Sequence, residues 1–389
     1  MTDANRHALS STARLIVVKV GSRVLTGADG RLDELRIAAL GRQCDVLRAQ
    51  GREVVLVSSG AVAAGMGRMG LARRPQELAQ LQAVAAVGQS CLIEAYERAF
   101  RGHGHHAAQV LLVASDLQDR SRYLNIRNTL RALLDHGAIP VINENDTVSV
   151  EELRTSFGDN DRLAALVATL LAAPLLVLLS DVDGLHDRHP AEAGARLVSH
   201  VARIDETIEA LARDRLGGLS KGGMASKITA ARIVTEAGGA CIIAAGRDDH
   251  VLERICRGEA VGTLFEGRPA TMPAWKRWLA WSADARGTVA VDAGAREAVV
   301  RDGRSLLAAG VTGVDGIFKA GDVVILTGPD GTPFARGLVN YPAADLQRIA
   351  GLRTDRIFAM LGYCPYDEVV HRDNLAILHR DGATVADRG

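Results

Sequence analysis

Short runs rich in Val, Ile and Leu recur along the chain at residues 15–20, 54–58, 109–113, 139–143, 175–179 and 241–244. They are apolar at nearly every position rather than at every second one, which predicts strands buried on both faces. Between them, residues 33–50, 78–100 and 123–136 have the length and apolar spacing of helices. Strand and helix alternate, so the pattern predicts an α/β fold: a mainly parallel sheet sandwiched by helices. The longest near-apolar run, 163–179, is divided by Pro174 and bordered by Arg162 and Asp181. It reads as a buried helix followed by a buried strand, because a membrane span needs about 20 apolar residues.

The pattern changes near residue 282. Pro269 and Pro273 precede short β-like runs at 289–291, 323–326 and 337–340, and Gly328-Pro329-Asp330-Gly331 forms a turn between two of them. The expected division is therefore a domain over 1–282 and a small β-rich domain over 283–389. A length of 389 residues and 48% hydrophobic composition agree with two cores of their own.

Charge narrows the partners. The 46 Lys plus Arg cancel the 46 Asp plus Glu, so no overall field favours nucleic acid or an anionic membrane, and any anion site is local. The five cysteines are scattered without CxxC spacing, which suits neither a disulfide framework nor a zinc site and points to a reducing cytoplasm. Residues 1–14 are polar and lack the apolar stretch of a secretory signal.

In a doubly wound sheet, ligands gather beyond the carboxyl ends of the strands. Polar and glycine residues stand at those places here. The first apolar run ends in Lys19-Val20-Gly21-Ser22, where a lysine beside a glycine turn can reach phosphate oxygens. The second ends in Ser58-Ser59-Gly60-Ala61, whose hydroxyls and free amides suit a carboxylate. After the fourth come Asn143-Glu144-Asn145-Asp146 and then Gly158-Asp159-Asn160-Asp161 at the start of a helix. So many acidic groups are costly in a site for anions unless they bind ammonium or orient lysines, and an amino acid substrate brings an ammonium. The fifth ends in Ser180-Asp181-Val182-Asp183-Gly184, and Ser220-Lys221-Gly222-Gly223-Met224-Ala225-Ser226-Lys227 joins a glycine loop to a helix that carries a further lysine.

In this order the segments resemble the amino acid kinase family, with Ala85-Ala86-Val87-Gly88-Gln89 as a further match, over roughly residues 14 to 375. Two positions depart from the usual pattern: Ser220-Lys221 replaces Gly-Thr before Gly-Gly-Met, and Ser180 replaces Thr before Asp181. The resemblance is to the branch that phosphorylates the side-chain carboxylate of free L-glutamate with ATP and Mg²⁺, the first step of proline biosynthesis. It implies catalytic roles for Lys19, Lys227 and Asp161, with Asp161 holding the two lysines in place. It implies glutamate binding by Ser59, Asp146 and Asn160, assisted by Asn143 and Asp159. ATP would be held by Ser180, Asp181, Gly222, Gly223, Met224, Ala225, Ser226 and Lys227. A homo-oligomer and feedback inhibition by proline are also implied.

Residues 294–351 resemble the PUA domain, a module whose name suggests RNA. Residues 286–389 carry 12 Lys plus Arg against 13 Asp plus Glu, a net charge of −1. Phosphate contacts dominate nucleic-acid affinity, so RNA binding is not expected and a regulatory or assembly role is. Gly65-Met66-Gly67-Arg68-Met69-Gly70 spells GxGxxG, but a helix should already follow strand 54–58 there, whereas a dinucleotide fingerprint joins strand directly to helix. His103, His105 and His106 read as a solvated loop rather than a metal site.

Overall fold

In the computed structural model, which describes residues 2–27, 29–117, 120–148, 160–190, 192–212, 223–267, 276, 279–280 and 283–378, the six apolar runs become six neighbouring strands of one sheet. The chain divides into two units, Met1–Thr271 and Met272–Gly389. The first contains α1 (Thr2–Thr12), β1 (Leu15–Val20), α2 (Ser22–Leu25), α3 (Glu34–Ala49), β2 (Glu53–Ser58), α4 (Ala61–Met69), α5 (Leu78–Arg101), β3 (Ala107–Leu112), α6 (Arg120–Asp135) and β4 (Ile139–Glu144). It continues with α7 (Asn160–Leu171), β5 (Leu175–Ser180), β6 (His200–Val201), α8 (Glu206–Ala212), α9 (Met224–Glu236), β7 (Ala240–Ala245), α10 (Val251–Cys256) and β8 (Thr263–Phe265).

The strand order is β3-β4-β2-β1-β5-β7-β8-β6, and the first six are parallel to one another. β8 runs antiparallel to β7 and pairs with the two-residue β6 at the edge. Parallel neighbours place the carboxyl ends of β4, β2, β1 and β5 side by side along one border of the sheet. Alternation decides what those ends carry. Ile16, Val18 and Val20 pack into a core with residues of α3, α5 and α10, so Lys19 takes the opposite face, where α7 and α9 cover the sheet. Each Val or Leu withdrawn from water in such strands stabilises by about 1.5–3 kcal/mol.

α7 is buried along its whole length except at Arg162, as expected of a helix that is apolar all round. Its first two residues, Asn160 and Asp161, are nevertheless polar and also buried. Such groups persist only when paired, so the start of α7 is a polar junction within the core. On the other face, α4 and α5 approach until backbone meets backbone. A Cβ on Gly88 would overlap the Ala61 carbonyl, and one on Gly65 would overlap that of Val84.

The second unit holds a five-stranded sheet in the order β11-β9-β12-β13-β15, comprising β9 (Ala285–Val291), β11 (Val311–Gly316), β12 (Val323–Thr327), β13 (Pro333–Leu338) and β15 (Leu375–Ile377). A separate pair joins β10 (Leu306–Leu307) to β14 (Glu368–Val370). Val289, Phe318, Val324, Leu326, Phe334, Tyr341 and Leu346 lie in its own hydrophobic core. Among the described residues, no helix is long and apolar enough to cross a membrane.

Candidate active site

Lys19 leaves β1 one residue before the strand ends, and its Nζ lies 2.6 Å from Asp161 Oδ1. Lys227, in the first turns of α9, brings its Nζ to 3.1 Å from Asp161 Oδ2. One carboxylate thus takes a lysine on each oxygen, and all three side chains are buried. Burial alone would raise the Asp161 pKa, but the charges and hydrogen bonds of Lys19 and Lys227 outweigh it and hold the carboxyl below the usual aspartate range. Two ammonium groups against one carboxylate leave a local surplus of positive charge in a chain with no net charge.

The neighbouring Asn160 ties this bridge to the ends of β2 and β4. Its Nδ2 donates to the Ser58 carbonyl at 3.1 Å, to Ser59 Oγ at 2.9 Å and to Asn143 Oδ1 at 3.1 Å. Asn143 Oδ1 also accepts from the Glu144 backbone N–H at 2.9 Å. Gly60 follows Ser59 with a φ of 102°, a left-handed conformation that glycine adopts freely, and α4 starts at once behind it.

Beyond β4, Asp146 is 3% exposed. Its Oδ2 accepts from Gln89 Nε2 at 3.3 Å, and its buried Oδ1 has no hydrogen-bond partner among the described residues. Burial pushes this carboxyl up to about 7, Glu144 adds to the rise, and the Gln89 hydrogen bond and the Arg74 charge oppose it. A buried carboxylate with one oxygen unengaged is costly on its own and calls for a cation.

At the β5 end, Ser180 Oγ donates to Asp181 Oδ1 at 3.0 Å and Arg23 pairs with Asp181 Oδ2 at 2.8 Å. Burial would raise the Asp181 pKa, yet the hydrogen bonds from Arg23 and Ser180 bring it below the usual value. Gly223 is the N-cap of α9, and Met224, Ala225 and Ser226 form its first turn. The fold therefore joins Lys19, Asp161 and Lys227 in one cluster and Ser59, Asn143 and Asn160 in another. Ser180 and Asp181 stand at the end of β5, the strand beside β1. Gly222 and Asp159 lie outside the described residues, as do Gly158, Ser220 and Lys221.

Gln89 carries no role in the sequence pattern, although it stands in one of the family-like segments, and the structure sets it against Asn143, Glu144 and Asp146. Gly65 to Met69 lie on α4, which separates the GxGxxG run from its strand. His103 and His105 both face Asp45, at 3.3 and 3.0 Å, while His106 lies 3.2 Å from Glu97.

Two family models match the chain: the amino acid kinase family over residues 14–245 and the PUA domain over residues 287–361. Glutamate 5-kinase of Myxococcus xanthus is 51% identical over 375 residues, covering 96% of this chain and 98% of that protein. Its counterpart in Thioalkalivibrio sulfidiphilus is 50% identical over 367 residues, 94% of this chain and 97% of the relative. The glutamate 5-kinase of Rhodopirellula baltica is 46% identical over 374 residues and 96% of both chains.

Proposed function

Because the chain belongs to the amino acid kinase family, and within it to the glutamate 5-kinases, we propose that Lys19, Asp161 and Lys227 carry out phosphoryl transfer beside a glutamate site built from Ser59, Asn143, Asp146 and Asn160. The reaction is the ATP-dependent phosphorylation of the L-glutamate side-chain carboxylate to L-glutamyl 5-phosphate, the first step of proline biosynthesis. The bond from the γ-phosphorus to the bridging oxygen breaks, a bond to a carboxylate oxygen forms, and ADP leaves. The attacking group is already ionised at neutral pH, since glutamate side chains titrate near about 4.3, so no general base is required.

The obstacle is charge, because one anion must approach another. The observation that carries the site assignment is the Lys19–Asp161–Lys227 bridge, adjacent in sequence to the Asn160 that bonds Ser59 and Asn143. At an effective dielectric of about 20, opposed unit charges about 4 Å apart attract by roughly 4 kcal/mol, so two lysines offset much of the repulsion. Asp161 holds them where charge spreads over the transferring group. Asp146, whose buried Oδ1 has no hydrogen-bond partner among the described residues, pairs with the substrate ammonium. N-acetylglutamate offers no such charge.

Ser180, Asp181 and the segment Gly222 to Lys227 hold ATP, the last through backbone amides at the start of α9. Mg²⁺ would enter with ATP and would neutralise phosphate charge beside Lys19 and Lys227. Family resemblance supports a homo-oligomer with proline as feedback inhibitor. The near-neutral charge of the PUA region supports a regulatory or assembly role there.

Trapping the acyl phosphate with hydroxylamine across a panel of acids tests the substrate. L-glutamate should give product with MgATP, and aspartate, N-acetylglutamate and UMP little. Preference for any of those three would sink the assignment.

A further inference from the structure

Gln89 enters the site from α5, and no step above uses it. Its side chain is buried, with 6% of the residue exposed. Nε2 donates to the Glu144 carbonyl at 3.1 Å and to Asp146 Oδ2 at 3.3 Å, while Oε1 accepts from Asn143 Nδ2 at 3.3 Å. Those partners fix the amide's orientation. A carbonyl and a carboxylate only accept, whereas Asn143 has committed its own Oδ1 to Asn160 and to the Glu144 N–H and so presents its NH₂. Turning the amide over would set like groups against each other at all three contacts.

The backbone at this point is also held. Gln89 follows Gly88, where α5 meets the Ala61 carbonyl of α4 with no room for a Cβ, so the depth of the side chain is set by helix packing. Asp146, by contrast, lies past the end of β4, outside the sheet's ladder. We propose that Gln89 is a positioning residue for the amino acid substrate: it holds one oxygen of Asp146 and leaves the other facing the substrate ammonium. This rests on the reading of Asp146 given above. The same donated hydrogen bond favours the ionised carboxylate against burial and against Glu144 at the end of β4, with Arg74, between α4 and α5, acting in the same sense as Gln89.

Steady-state rates of the full chain, with Gln89→Met and Gln89→Glu beside wild type, test this across acid to alkaline pH. Loss of a hydrogen bond to a charged group predicts that Gln89→Met raises the KM for glutamate by about 10- to 100-fold, with kcat and the KM for ATP changed by less than about threefold. The acid limb of kcat/KM for glutamate should move to higher pH, because Asp146 loses a bond that favours its charged form. Gln89→Glu keeps the shape but adds an acid beside two others, so its KM defect should grow as pH rises.

A folded variant with wild-type glutamate KM and an unmoved acid limb overturns the proposal. So does an equal loss in kcat and in both KM values, or failure of both variants to fold, since each marks a purely structural residue. If wild type itself fails to prefer free glutamate to N-acetylglutamate, the fault lies in the reading of Asp146 instead.

Discussion

Replacing Asp161 by Asn preserves its shape and removes the single negative charge between two buried ammonium groups. In the wild-type protein that charge faces Lys19 Nζ at 2.6 Å and Lys227 Nζ at 3.1 Å. At an effective dielectric of about 20, the two pairs are worth roughly 6 and 5 kcal/mol of Coulomb attraction before desolvation is counted. Desolvation cancels much of this, and removing one member of a buried ion pair costs about 3–5 kcal/mol. For a chain of this size, with an unfolding entropy of about 2.1 cal/mol/K per residue, that corresponds to a fall in Tm of about 4–6 °C. The sign with pH follows from a depressed folded pKa: the stabilisation is fully present above the unfolded value of about 3.9 and is lost as pH falls through the lower, folded value. Thermal unfolding near neutral pH, with and without MgATP, is the assay. Nucleotide phosphates replace part of the missing negative charge, so MgATP should raise the Tm of Asp161→Asn more than that of wild type. A variant as stable as wild type, with the same response to nucleotide, would refute the electrostatic account of the bridge.

Asp146→Asn should mainly raise the KM for glutamate; in wild type, kcat/KM should fall as pH drops below about 7, where Asp146 takes up a proton, and the variant's profile should lack that limb. Gly88→Ala should destabilise the protein and weaken glutamate binding together, because its methyl group would force α4 from α5 and shift Gln89; unchanged melting and KM would show the packing to be dispensable. A chain truncated after residue 282 should keep glutamate kinase activity, since every proposed site residue precedes that point, and soluble, folded but inactive protein would refute this. Residues 283–389 alone should bind RNA feebly, and tight, salt-sensitive retention in filter binding would restore a nucleic-acid role.

Much of the fold is legible in the chain because buried parallel strands are apolar at nearly every position, so β1, β2, β4, β5 and β7 stand out without any partner being known. The run at 109–113 departs from the expected burial on both faces: β3 is the edge strand, with Gln109 exposed and only Leu112 buried, because it has a neighbour on one side alone. The edge strands β6 and β8, of two and three residues, leave no such trace. α1 reads only as a polar segment. Its fixing residue is Arg6, 3% exposed, whose guanidinium donates to the carbonyls of Ser199, Val261 and Gly262, bonds that no local pattern announces. Site residues at strand ends can be named because the fold class says where to look. Gln89 cannot, since a glutamine in the middle of a helix looks like any polar surface position until α5 is packed against the end of β4.

The central claim is that Lys19 and Lys227 stabilise charge on the group in transit rather than merely bind a substrate. It is tested most directly by kcat for Lys19→Ala and Lys227→Ala, measured by hydroxylamine trapping at saturating glutamate and MgATP. Loss of one preorganised donor predicts a fall of about 10²–10³ in kcat for each. Near-normal kcat in either variant, with only KM raised, would contradict the clamp.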